Sequence, residues 1–135
     1  MELARAVEML ERAKAEAARH GVPMSFAVVD GGGHLIALHR MDGASFVSPE
    51  IAYSKAFTAA AVRVPTWDMA QVFEGMQAGA TSFVAAAAQF TGGRFLAAAG
   101  GHPIVEDGEV VGAIGTSGGS GEQDIAVAKA ALGEA

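Results

Sequence analysis

The residues of this chain that could carry chemistry fall into a few separated groups. Asp30 ends a VVD stretch, Arg40 and Asp42 follow in RMDGA (40–44), and Lys55 sits in SKAFTAA (54–60). A glycine-rich run, GTSGGSGEQD (115–124), opens onto a helical pattern. Bare amides at a helix start favour anions such as carboxylates or phosphates. This run lacks the Lys-Ser/Thr ending of a phosphate loop and is no clean GxGxxG after a parallel strand. A capped turn that folds the helix back onto a sheet accounts for it equally well. Lys55 has isoleucine at i−4, with Glu50 one residue further back. Desolvated among alanines, such a lysine acts as acid, base or nucleophile. The plainer account is a solvated lysine in a surface salt bridge.

The histidines are His20, His34, His39 and His102. They form no HExxH and no close His/carboxylate spacing, which argues against a zinc site. His20 falls in the last turn of a predicted helix, where the dipole favours a cation. Any of the four can serve as an axial ligand to haem iron. Without a CxxCH, haem attachment would be non-covalent.

The 135 residues fit one domain. The absence of cysteine excludes disulfides and thiolate metal sites and points to an intracellular address. A net charge of −6 with no Lys/Arg cluster argues against nucleic acid. The charged first twenty residues do not read as a signal peptide, so a cytoplasmic location is expected. The alanine-rich middle is broken by Gln89, Gly92, Gly93 and Arg94, so no run reaches membrane-spanning length. A hydrophobic fraction of 51% against 18% charge is more than so small a domain buries easily. The surplus points to an oligomer interface or a ligand pocket.

The elements that must position these groups read as follows. Residues 2–20 pattern as an amphipathic helix with Leu3, Val7, Leu10, Ala13 or Lys14, and Ala17 on its stripe. Gly21 ends it and Pro23 blocks continuation. Residues 24–30 and 34–40 read as strands joined by Gly31–Gly33, the second apolar on both faces and so expected to be covered on both. Ser48-Pro49-Glu50 predicts a helix start capped by Ser48 and running to about Arg63. Val64-Pro65 breaks it, and Thr66 is expected to cap a short helix with Asp68 in its first turn. Residues 72–89 read as helical, 94–99 as a strand and 100–103 as a turn or bulge. Asp107-Gly108 predicts a hairpin between 104–106 and 109–115. Residues 116–121 read as a loop. Ser120 and Gln123 predict a capping box for a last helix with Asp124 in its first turn. Four or five antiparallel strands with helices on the faces make an α+β domain.

Taken together, VVDGGGHLIALHRMDGA (28–44), SKAFTAA (54–60), GGHPIVEDGEVVGAIGTSGG (100–119) and EQDIAVAKAAL (122–132) resemble one family. It is that of small GlcG/HbpS-like proteins, the haem-degrading domain family, which includes the C-terminal domain of PduO-type proteins. The resemblance spans nearly the whole chain and is weakest over 66–95. It implies a single domain over 1–135 with a profilin-like α+β fold, a central antiparallel sheet of about five strands. It also implies a homo-oligomer. Members resemble haem or tetrapyrrole binders, some linked to haem sensing or degradation, others lying beside glycolate or diol metabolism.

Arg40 to Ala44, Lys55 and the loop 115–119 fall on motif positions of that family. The resemblance therefore implies a pocket, within one subunit or between subunits, in which Arg40 and Lys55 attract carboxylates. Asp42 stands at its rim, and the backbone of Gly115, Thr116, Ser117 and Gly118 holds the same anion. Haem propionates or a small carboxylic acid would suit it. The axial ligand is not part of the shared motif. His20 is the first candidate and His102 the second, standing where the family more usually has an apolar residue. Three readings follow: a haem-binding protein, an enzyme on a small carboxylate or carbonyl substrate, and an assembly protein. In the enzyme reading Asp30 or Glu122 is the base, Lys55 an acid or electrostatic stabiliser, and Arg40 the substrate clamp.

Overall fold

The computed structural model describes residues 1–134, the side chain of Gln77 excepted. Helix α1 covers Leu3–His20, strands β1 and β2 cover Ser25–Asp30 and Leu35–Arg40, and helix α2 covers Ser48–Val62. A 3-10 turn at Thr66–Asp68 leads to the short α3 (Ala70–Glu74), and a second at Gln77–Gly79 leads to α4 (Ala80–Phe90). Strands β3 (Gly101–Glu106) and β4 (Glu109–Ser117) and helix α5 (Gly121–Ala131) complete the chain. The four strands form one antiparallel sheet in the order β2-β1-β4-β3.

The alternation of β1 sets the layers. Phe26 and Val28 pack with Leu10, Ile114 and Val127 beneath α1 and α5. Val29 packs with Ala113 and the alanines Ala56, Ala59 and Ala60 of α2 on the opposite face. Helix α2 approaches β4 so closely that a Cβ on Gly115 would lie 1.9 Å from the Ala52 carbonyl oxygen. Only small residues on both partners permit that spacing.

Several local expectations hold. Gly21 stops α1 in the left-handed region, with φ 69° and its N–H on the helix carbonyls. Asp107 and Gly108 both have positive φ in the hairpin turn. Ser120 and Gln123 form the capping box of α5. Ser120→Ala is expected to lower stability by about 1 kcal/mol, measured by urea unfolding.

Other expectations are corrected. The sheet has four strands rather than about five, because 94–99 forms none. There the Phe95 and Leu96 amides donate to the hydroxyls of Thr91 and Thr58, side chains that take the place of a strand partner. Strand β2 is not covered on both faces. It lies at the sheet edge, and Leu35 is 44% exposed. On α1 the buried row is Ala6, Met9, Leu10, Ala13 and Ala17, while Leu3 is exposed. Close packing against α5 selects the small alanines rather than the larger Leu3.

Ser48 does not cap α2. Its hydroxyl bonds to the Ser45 carbonyl and the Ser25 hydroxyl. Thr66 does not cap either, since its hydroxyl donates to the Ala98 carbonyl and accepts from the Gly101 amide. Gly101, His102 and Pro103 open β3 instead of forming a turn, because β4 runs on to Ser117 and supplies partners for them.

Candidate functional site

Lys55 is buried. Its Nζ lies 2.8 Å from Asp124 Oδ2 and 2.9 Å from the Thr116 carbonyl oxygen. The two side chains are only 5% and 6% exposed. The other Asp124 oxygen accepts from the Gly119 N–H at 2.9 Å. The Thr116 hydroxyl donates to the Asp124 main-chain carbonyl. Burial pushes the Asp124 carboxyl above its ordinary value, against the opposing pull of the Lys55 ammonium and the Gly119 amide. Gly100 passes close enough that a Cβ there would lie 3.1 Å from Lys55 Nζ.

The solvated-lysine account of Lys55 is therefore overturned. Helix α2 carries Lys55 over the sheet, and the capped start of α5 brings Asp124 to meet it. The pair ties α2, the end of β4 and α5 together, and each of its hydrogen bonds is made within the protein. Asp124 is legible in the sequence as a first-turn residue of α5, but its partner is not, because 69 positions separate the two.

The common pocket expected from Arg40, Lys55 and the 115–118 backbone is not assembled. Gly115, Thr116 and Ser117 lie inside β4, paired with Ala27, Phe26 and Ser25. Gly118 packs against Pro23 and Met24. The one loop amide that does hold an anion, that of Gly119, holds the carboxylate of Asp124. Arg40 and Asp42 are exposed and line an open groove of about 380 Å³ with Lys14, His39 and Met41. His39 Nδ1 is buried beside it without a partner among the described residues.

Asp30 lies at the opposite end of β1 from the Arg40 pairing. Its Oδ1 accepts from the amides of Gly32 and His34, each at 2.9 Å. The His34 and Gly32 amide bonds hold its carboxyl below the ordinary value. It organises the β1–β2 turn. Asp30, Lys55 and Glu122 thus occupy three different places.

Glu122 is exposed in the first turn of α5 and borders a groove of about 440 Å³ between α1 and α5. Ile125, Ala126 and Ala130 form its apolar floor, and the Glu16–Arg19 ion pair, Lys129 and Glu134 its polar edge. His20 follows Arg19 at the end of α1 and does not itself line this groove; its Nε2 lies 3.1 Å from Glu16 Oε2. No other partner of the His20 ring is present among the described residues.

His102 differs in that both its ring nitrogens are engaged. Nε2 lies 3.0 Å from a Glu134 carboxylate oxygen and Nδ1 2.8 Å from the Pro103 carbonyl. The ring meets Trp67 edge to face at a centroid distance of 5.4 Å. Among the described residues no three His, Asp or Glu side chains gather into a metal site. None of the described helices is long and apolar enough to cross a membrane.

A family model described as haem degrading protein HbpS-like matches residues 1–133. The chain is 37% identical over 131 residues to the uncharacterized 15.0 kDa protein of the dhaT-dhaS intergenic region of Citrobacter freundii, covering 96% of this chain and 88% of that one. It is 38% identical over 102 residues to protein GlcG of Escherichia coli, covering 76% of this chain and 69% of GlcG. The crystal structure of a PduOC–haem complex superimposes with a TM-score of 0.84 at 30% identity, over 98% of this chain and 93% of that one.

Proposed function

Because the chain belongs to the HbpS-like family, we propose that it is a haem-binding protein whose axial ligand is His20. The observation that carries this is the free ring nitrogen of His20, which follows Arg19 of the α1–α5 groove at the end of α1. One ring nitrogen meets Glu16 and the other has no partner among the described residues. A carboxylate on the first nitrogen orients the ring and raises its basicity as a ligand. Ile125, Ala126 and Ala130 offer an apolar floor, and Lys129 offers a cation for a propionate, while Arg19 is paired with Glu16. These residues suit the group, which when bound would supply an iron centre. The chain has no cysteine for a thioether link, which supports non-covalent binding. The haem complex of the PduOC relative supports the same reading.

His102 is the weaker candidate, since both its nitrogens are already engaged. Catalysis by Lys55, Asp30 and Glu122 has less support than binding, because the three share no cleft and Lys55 is closed in by Asp124. A homo-oligomer belongs to the same proposal. It is supported by Phe46 and Phe90, which are 87% and 77% exposed, and by the largely uncovered α4. The profilin-like arrangement implied by the resemblance is supported by the antiparallel sheet between two helix layers.

Titration with haem, followed by absorbance and with the assembly state checked by light scattering, tests the reading. The wild type is expected to give a stoichiometric Soret band that His20→Ala removes. Glu16→Ala is expected to weaken binding by roughly tenfold or more. Non-saturating binding indifferent to His20 would sink the proposal.

A further inference from the structure

A second groove, of about 260 Å³, lies between the first half of α1, strand β3 and the end of α5. Met9, Ile104 and Leu132 form its apolar part, and the first two are almost fully buried. Arg5, Arg12 and His102 border it. Arg5 is committed to an ion pair with Glu106. Arg12 is not. Its Nε donates to the Ala131 carbonyl at 2.8 Å, which fixes the guanidinium against the last turn of α5. Among the described residues Arg12 has no carboxylate partner.

The group facing the His102 side of the groove is the carboxylate of Glu134, which is half-exposed. Glu134 follows Gly133, whose φ of 76° turns the chain out of α5. The groove therefore already contains a carboxylate on a short, exposed arm, with a tethered arginine and an apolar wall beside it. We infer that this groove is a carboxylate-binding site for a small apolar acid, in which Glu134 is the protein's own placeholder on His102.

A ligand carboxylate would take the free edge of the Arg12 guanidinium in a charge-assisted bond and displace Glu134 from His102. Its hydrocarbon part would cover Met9, Ile104 and Leu132. Removal of the placeholder should tighten binding, whereas removal of the arginine should abolish it. A purely structural role for the two residues gives no such opposite signs. The groove does not include His20 and shares Glu134 alone with the lining of the α1–α5 groove, so the two readings are tested through different residues, Arg12 here and His20 there.

Butyrate is the probe, with butylamine as the charge-reversed control and the methyl NMR signals of Met9 and Leu132 as the readout. Butyrate is expected to shift them saturably, and butylamine is not. Arg12→Gln should weaken butyrate by tenfold or more, Glu134→Ala should tighten it several-fold, and His20→Ala should leave it unchanged. Absence of saturable binding, indifference to Arg12→Gln in a folded variant, or weaker binding by Glu134→Ala each overturns the inference. Added haem separates two sources of the carboxylate. Undisturbed butyrate binding assigns the groove to free acids, and displacement assigns it to a haem propionate.

Discussion

Asp124→Ala is expected to destabilise the protein by about 3–5 kcal/mol, the range for breaking a buried ion pair by removing one partner. The variant leaves the Lys55 ammonium without a counter-ion at a site only 5% exposed. It also strips the Gly119 amide of its acceptor. In thermal unfolding the loss should appear as a fall in Tm of roughly ten degrees or more. Lys55→Met/Asp124→Leu is the decisive companion. Desolvating both ions opposes their attraction, so replacing both by apolar groups should restore most of the loss. If Asp124→Ala unfolds within about 0.5 kcal/mol of the wild type, the scale of a neutral surface substitution, the clamp role is wrong.

The titration of the Asp124 carboxyl, as distinct from its ion pair with Lys55, has a definite sign. Burial raises the Asp124 carboxyl in the folded protein. Its contribution is therefore complete below the ordinary aspartate value and fades as pH rises through the raised one. Asp30 behaves oppositely. Its lowered carboxyl contributes above the ordinary value and loses that contribution as pH falls through the folded one. Asp30→Asn should accordingly flatten the acid side of the stability profile, while Asp124→Asn should steepen it. Urea midpoints collected between pH 3 and pH 7 would check both.

Gly115→Ala is the second large effect. Its Cβ would lie 1.9 Å from the Ala52 carbonyl oxygen and 2.6 Å from the Ala56 nitrogen, both backbone atoms of α2. No side-chain rotation relieves that clash, so α2 must lift from β4. Overpacking a core typically costs about 1–3 kcal/mol, and here the upper end or beyond is expected. The lift would also draw Lys55 from Asp124, because Lys55 is carried by the same helix. Gly75→Ala is the control, since nothing lies within 4 Å of its added Cβ. Equal urea midpoints for the two variants would contradict the close α2–β4 packing.

The sequence by itself determined the features whose causes lie within about one turn of chain. The stop of α1 at Gly21, the Asp107-Gly108 hairpin and the capping box at Ser120 are all settled by neighbours. So was the family, because its motifs are short runs in a set order. Tertiary structure alone decided what each polar group meets. Ser48 and Thr66 carry the right chemistry for caps, yet their hydroxyls are drawn to Ser25, Ala98 and Gly101. Residues 94–99 have strand-like composition, but the hydroxyls of Thr58 and Thr91 take up their amides. Strand β2 is apolar on both faces and still ends at the sheet edge, because its place follows from the strand order.

The candidate site divides in the same way. Arg40, Asp42, Lys55 and the glycine-rich run are visible as residues, and the shared pocket is what the family resemblance implies for them. Long-range packing gave Lys55 to Asp124 and made Asp30 a turn residue, while Arg40 stayed in solvent. Desolvation and pairing depend on which surfaces meet across tens of residues, and local propensity carries no information about that.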